Sequence, residues 1–315
     1  MAEKSIDLNI GFLKSKLPEI VKSQTGKEIE NLKFIGGGSY GKVFRAEMDG
    51  APVALKTYHV KGSQNAEAEQ LRTLRANTSV PMPEVIFTYE DNDISLLAMS
   101  FIGGKNVLNP VFLLKSGEKK AAFARQVVDG MSEWHCVTNG KFGSLSNPAY
   151  DTWFEYYTET MRNPWLRGLS TLAEKGKFSK NSLELLLEAS ELFDGIYTEP
   201  DRAVLIHGDL NIMNIMAAPE SFALTGFIDP CGSCFADREY DLFQLRNMWG
   251  DAFGLYETYK SKHTLSKYAD FKVVCYAAMN EASMRLRGGL IFPLWEALNF
   301  NRLKHETEKI KNEYR

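Results

Sequence analysis

The spacing of apolar residues changes near residue 102. From Leu32 to Ile102 they fall in short runs, NLKFIG, KVFRAEM, APVALKTYHV, EVIFTYE and ISLLAMSF, parted by turn residues such as Asp49-Gly50 and Asp91-Asn92, the texture of successive β-strands. Asp49-Gly50 predicts a hairpin between the second and third runs. A single helical stretch interrupts them, NAEAEQLRTLRAN, stopped by Pro81 and Pro83. Ahead of the strands, Phe12, Leu13, Leu17, Ile20 and Val21 recur at helical spacing and predict a leading amphipathic helix over 11–22.

After Gly103-Gly104 the period lengthens. Phe123, Val127, Met131 and Trp134 make one helical stripe, Leu183, Leu186, Leu187 and Phe193 a second, and Tyr268 to Arg287 a third helical segment. Within this half, MNIM and ALTGFID flank the turn-like AAPES and predict a hairpin. The fold class expected is therefore α+β and bilobal, with a small antiparallel β lobe carrying one helix over 1–102 and a larger, mainly helical lobe over 103–315. No internal repeat is visible.

Composition narrows the function classes more than the fold. Of 315 residues 44% are hydrophobic and 24% charged, and the net charge is -3, so neither nucleic acid nor an anionic membrane is expected as a partner. No run of about 18 apolar residues occurs, and lysines break the apolar runs near the N-terminus; a cytoplasmic protein is expected. Four cysteines, Cys136, Cys231, Cys234 and Cys275, are too few and scattered for a disulfide framework. Cys231-Gly232-Ser233-Cys234 has C-x-x-C spacing, but zinc would need two further ligands, so free thiols are expected.

Three polar constellations carry candidate chemistry. Gly36-Gly37-Gly38-Ser39-Tyr40-Gly41-Lys42-Val43 fits G-x-G-x-x-G-x-V and lies between two predicted strands. A dinucleotide fingerprint would open a helix there; glycines in a hairpin instead let backbone N–H groups approach phosphate oxygens, and Gly36, Gly38, Ser39, Gly41 and Val43 are the candidates for that contact. A plain β-turn would also explain them. Val53-Ala54-Leu55-Lys56 follows on the next strand, and Glu67, eleven residues later on the predicted helix, is placed to steady Lys56 at the phosphates; Glu69 competes for that role, but Glu67 is the one followed at helical spacing by Leu71 and Leu74, which mark the inward face. A snorkelling surface lysine is the plain alternative. Then LIHGDLNIMNIM, residues 205–216, plants Asp209 and Asn214 five residues apart in an apolar run, and Asp229 follows in GFIDP. Phosphoryl transfer to a hydroxyl needs a carboxylate at the attacking oxygen, here Asp209, and magnesium on the phosphates, for which Asn214 and Asp229 are oxygen ligands. Each could alone be an Asx turn or cap; the order of the set along the chain follows the kinase template. His207 is expected to support the loop.

The chain resembles the aminoglycoside phosphotransferase and fructosamine kinase superfamily, the small-molecule branch of the protein-kinase-like fold, over nearly its whole length. His207-Gly208-Asp209 through Asn214 is similar to the family's H-G-D-x4-N motif, Ile228-Asp229-Pro230 to its metal aspartate, and Asp237-Arg238-Glu239-Tyr240-Asp241-Leu242 to the fructosamine kinase element whose aspartate, here Asp241, braces the catalytic loop. KFGSLSN and DTWFEYY resemble fructosamine kinase segments as well. The resemblance implies ATP and Mg2+ as cofactors and a hinge at Met99, Ser100, Phe101 and Ile102 whose backbone receives the adenine. Asn211 and Met213 depart from both substrate classes. The acceptor expected is a small-molecule hydroxyl, most simply on an amine-bearing sugar or amino alcohol, because 150–200 carries Asp151, Glu155, Glu159, Glu184, Glu188, Glu191 and Asp194. A solvated helix face is the plainer explanation of these acids, as core packing is of Trp153, Tyr156 and Tyr157, which could otherwise stack on the acceptor. Competing readings are a catalytically weak nucleotide-binding scaffold and a protein kinase; the short span from Asp229 to Asp241 leaves no room for a peptide-docking activation segment.

Overall fold

The computed structural model describes residues 6, 8–38 and 40–313. Helix α1 (Ile10–Thr25) opens the fold, longer at both ends than its apolar stripe alone marks. Asn9 accepts the Phe12 amide at 3.0 Å as N-cap, and Gly26 in the left-handed region ends the helix. Five strands follow, β1 (Ile29–Gly37), β2 (Gly41–Met48), β3 (Ala51–Tyr58), β4 (Val85–Glu90) and β5 (Ser95–Ser100), with α2 (Ser63–Arg75) between β3 and β4. They form one antiparallel sheet in the order β1-β2-β3-β5-β4, and Asp49-Gly50 turns β2 into β3 as expected. Leu13, Leu17, Ile20 and Val21 of α1 close one face of this sheet over Phe44, Val53, Leu55 and Leu96.

On the other face, α2 buries Glu67, Ala68, Leu71 and Leu74. Leu71 and Leu74 belong to the same apolar cluster as Leu97, Trp134 and Phe227, so the small lobe shares its core with the large one. The large lobe is built around the helix Gly117–His135, whose predicted stripe of Phe123, Val127, Met131 and Trp134 is fully buried, and the helix Ala269–Arg287, buried on nearly every side. The stripe expected over 183–193 is corrected: Leu187 is 41% exposed and Leu183 half-buried, while the inward face of Lys180–Ile196 is Leu186, Ala189 and Phe193. Leu187, one residue past Leu186, is turned about 100° around the helix from it.

The predicted hairpin is present as Ile215–Ala217 paired with Leu224–Phe227. Two features around it were not expected. Lys105–Asn106 adds a third strand to it, and Gly104 (φ 103°) permits that approach, because a Cβ there would lie 2.6 Å from the Ala217 carbonyl oxygen. A second sheet of very short strands places Ala203–Leu205 against Cys234–Ala236, which sets the entry to residues 206–214 beside the segment that follows Asp229.

Candidate active site

Lys56 stands on β3 opposite Val43 and Leu97, buried between sheet and α2. Its Nζ donates to Glu67 Oε2 at 2.6 Å and also to Asp229 Oδ1, so a strand, a helix and the large lobe meet at one ammonium. The Tyr58 hydroxyl donates to the same Glu67 oxygen at 2.8 Å, whereas Glu69 is exposed. Burial works against the charge on Lys56, but the Asp229 and Glu67 carboxylates outweigh it and hold its pKa well above the ordinary value. For Glu67 burial is the larger influence and raises its pKa despite the lysine.

The glycine hairpin lies above this pair. Gly36 and Gly37 end β1, Gly38 donates its amide to the Gly41 carbonyl at 3.1 Å, and Val43 packs half-buried on the core. Only glycine fits at 41, where a Cβ would fall 1.8 Å from the Thr57 carbonyl oxygen. Ser39 lies outside the described residues. Tyr40, which the sequence reading passed over, brings its phenol toward the carboxylates: burial, Cys231, Asp209 and Asp229 raise its pKa while Arg287 opposes them. At the hinge the Ser100 and Phe101 amides are held by the Glu84 and Pro52 carbonyls at 2.9 and 3.2 Å. The Ser100 hydroxyl accepts the Glu84 amide at 2.8 Å. Met99 is buried beneath them, and Ile102 continues the chain toward the large lobe.

Residues 206–214 form a loop whose shape is imposed from below. The Ile206 amide pairs with the Cys234 carbonyl at 3.0 Å, and Gly208 (φ 82°) passes so close to the Cys231 and Gly232 carbonyls that a Cβ would meet the first at 2.4 Å. Asp241, fully buried, accepts the His207 amide at 3.0 Å and the Gly208 amide at 2.8 Å, and receives His135 Nε2 at 3.3 Å. Burial opposes ionisation of Asp241, but these donors prevail and its pKa is lowered. The sequence motif flags Asp241. Nothing in the sequence pattern singles out His135, Ser233, whose hydroxyl donates to the His207 carbonyl at 2.8 Å, or Gln244, whose amide reaches the Gly208 carbonyl at 3.3 Å.

At the top of the loop the Asp209 carboxylate accepts Asn211 Nδ2 on Oδ1 and Asn214 Nδ2 on Oδ2, each at 2.9 Å, and the Asn214 amide also reaches the Asp209 carbonyl at 2.7 Å. Both amide hydrogens of Asn214 are thus turned to Asp209, so its Oδ1 is presented as an acceptor. Burial first, then the Asp229 charge, push the Asp209 pKa up to about 7. Asp229 itself adopts φ 57°, unusual for a non-glycine residue, and its side chain is 48% exposed.

His207 carries a testable consequence. Burial lowers its pKa to about 4, the Asp241 and Asp229 charges notwithstanding. Above pH 6.5 the imidazole is neutral folded or unfolded. Below that, the unfolded chain takes up a proton that the folded one refuses, so stability falls from pH 6.5 down to about 4, by roughly 3 kcal/mol from this group. His207→Gln is expected to flatten that part of a plot of Tm against pH.

Other candidates fall outside the site. Trp153 and Tyr157 are buried with Tyr240 and Tyr276, the Trp153 indole donating to the Tyr276 hydroxyl at 2.9 Å, so core packing accounts for them; Tyr156 is partly exposed beside Tyr150. Of the acids in 150–200, Asp151 pairs with Lys141, Glu188 with Lys311 and Asp194 with Arg162. All four cysteines are free, and burial with the Asp209 charge pushes the Cys231 thiol up to about 12. Among the described residues no three His, Cys, Asp or Glu side chains gather into a metal cluster, and no helix is long and apolar enough to cross a membrane.

A β lobe with a glycine hairpin and a Lys–Glu pair, joined to a helical lobe that presents Asp209 and Asn214 from one loop, defines the two-lobed protein-kinase-like class. The chain belongs to the phosphotransferase enzyme family (APH), whose model matches residues 31–269. Among curated proteins it is similar to the uncharacterized protein YcbJ of Escherichia coli strain K12, 23% identical over 202 residues; the match covers 62% of this chain and 65% of that protein's length. Among solved structures, a provisionally assigned fructosamine-3-kinase from Thermobifida fusca superposes with a TM-score of 0.68 at 20% identity, covering 94% of this chain and 98% of that one. Aminoglycoside phosphotransferase APH(4)-Ia, in a ternary complex with ADP and hygromycin B, gives 0.69 at 14% identity, covering 93% and 98%. At these identities the structural likeness is one of fold.

Proposed function

We infer that this protein transfers the γ-phosphate of ATP to a hydroxyl group of a small molecule. The observation that carries the reading is Asp209, a half-buried carboxylate held by two asparagine amides close enough to feel the charge of Asp229, which is itself bound to the Lys56–Glu67 pair. Catalysis of phosphoryl transfer is chiefly alignment and charge stabilisation. In this reading Lys56, steadied by Glu67, holds the α- and β-phosphates under the glycine hairpin, with the adenine against the backbone of Met99–Ile102. Asp209 receives or orients the acceptor proton; a pKa near neutrality suits a group that must take a proton and give it up.

Magnesium fits the donor set. Asn214 Oδ1 and the exposed part of the Asp229 carboxylate are hard oxygen donors, and two protein ligands leave room for the water and phosphate oxygens that this ion prefers. When bound, it would neutralise charge on the phosphates. The acceptor proposed is an amine-bearing sugar or amino alcohol, supported by the named functions of the similar structures. The acids of 150–200 lend this less support, since Asp151, Glu188 and Asp194 are already paired. The reaction is placed in the cytoplasm.

An ATP-consumption screen with fructosamines, aminoglycosides and amino alcohols tests the reading, and nucleotide binding with no transfer to any of them would make the chain a binding module instead. Lys56→Met is expected to weaken ATP binding at least about tenfold by calorimetry, since it leaves phosphate without its cation.

A further inference from the structure

Between the helix Arg238–Leu242 and Gly254 the chain makes a bend that the phosphate machinery does not use. Met248 (φ 51°) and Trp249 (φ 71°) are consecutive non-glycine residues in the left-handed region, a conformation L side chains disfavour. Clamps hold both ends. Asn247 Nδ2 donates to Gln244 Oε1 at 2.8 Å and its Oδ1 accepts the Trp295 indole at 3.3 Å, while Asp251 accepts Arg246 Nε at 3.2 Å and pairs with Arg302. The turn is tight enough that a Cβ on Gly250 would lie 2.0 Å from the Leu245 carbonyl oxygen. Backbone strain persists only where the surroundings over-determine it, and it collects at functional positions.

What the clamps hold outward is an indole. Trp249 is 50% exposed, its ring 6.2 Å from that of Trp295. The bend is also fastened to the loop that carries Asp209. Gln244 donates to the Gly208 carbonyl, and a Cβ on Gly250 would sit 3.8 Å from the Ile212 side chain. Ile212 lies between Asp209 and Asn214; its neighbour Met213, 36% exposed, has its amide bound by the Asn211 side chain at 2.9 Å. Trp249 precedes Gly250 and Met213 follows Ile212, so both exposed side chains stem from the stretch of backbone where bend and loop meet. A flat, half-exposed aromatic on a bend fastened to the loop of a polar reaction centre suits the apolar body of a ligand whose hydroxyl points inward.

We propose that Trp249, with Met213, is the acceptor platform and selects hydroxyl compounds bearing an aromatic or branched aliphatic substituent over their unsubstituted counterparts. The proposal rests on the phosphotransfer reading. Fructosyl-phenylalanine and fructosyl-glycine are matched probes that differ by one benzyl group. The native enzyme is expected to show a KM for the first at least about tenfold lower, and Trp249→Gly to bring the ratio near one with the ATP KM unchanged. Because glycine relieves the left-handed strain, the Tm of this variant should hold or rise, which a merely structural tryptophan would not allow. No preference in the native enzyme, or a preference that survives in Trp249→Gly, overturns the platform. If neither sugar is phosphorylated, saturation-transfer NMR separates the two ideas. Ring signals with the native protein that vanish in Trp249→Gly uphold the platform and count against transfer to these sugars; no ring signal with the native protein overturns the platform itself.

Discussion

Asp209→Ala is expected to lower acceptor phosphorylation by about 10²-fold or more while ATP affinity changes little. The expectation follows from how the side chain is held. Its two oxygens are bound by Asn211 and Asn214 from the same loop, and the loop's backbone course is set by Asp241, Gly208 and the Cys234 pairing. Removing the carboxylate therefore deletes the group proposed to meet the acceptor hydroxyl and leaves the contacts of Lys56, Glu67 and the glycine hairpin in place. Single-turnover transfer and nucleotide titration on the same variant make the comparison, and unchanged turnover would mean that the hydroxyl binds elsewhere. Loss of ATP binding together with turnover would place Asp209 among the phosphate groups.

Asp241→Ala should act on stability first, by about 3 kcal/mol or more. Three donors converge on this buried carboxylate, the His207 and Gly208 amides and His135 Nε2, while the Tyr259 hydroxyl lies 2.8 Å from His135 Nδ1. Alanine leaves those amides buried without acceptors, each costing about 1–3 kcal/mol. Urea unfolding followed at two wavelengths would record a lower midpoint at an unchanged slope. A stability within about 0.5 kcal/mol of native would mean that water replaces the carboxylate. Asp241→Asn is informative beside it: one carbonyl oxygen can accept from one amide, and its NH2 group must face the other, so part of the loss should persist.

The β lobe was legible because short apolar runs, Asp-Gly turn chemistry and the prolines that close its helix all pointed the same way. Lys56 and Glu67 were legible only as a pair: a lysine on an apolar strand can also snorkel to the surface, but a glutamate at helical spacing from Leu71 and Leu74 gives it an inward partner. The short strands were not. Thr138–Asn139, Phe142–Ser144 and Pro148–Tyr150 have two or three residues each, too few for any period to show, and their pairing is decided by long-range contact. The stripe that assigned Leu187 inward failed because a run of leucines fits several faces of a helix and only packing chooses among them. His135, Gln244 and Ser233 carry no local signature, because their partners are backbone groups or side chains brought near by the chain's return. Met248 and Trp249 run against local preference altogether, and no reading of propensity would place them in left-handed backbone.

Helix α2 is tied down twice. Leu71 and Leu74 lie in the core common to both lobes, and Gln70 Oε1 accepts the Ser233 amide from the far side of the cleft at 2.9 Å. A helix so anchored cannot swing outward without tearing apolar packing and exposing a buried amide, so the Lys56–Glu67 pair stays made at rest. The Lys56–Glu67 pair is thus built into packed structure and does not wait on an inward swing of this helix. In the proposed reading, nucleotide would be received beneath the β1–β2 hairpin against a floor that this helix holds fixed.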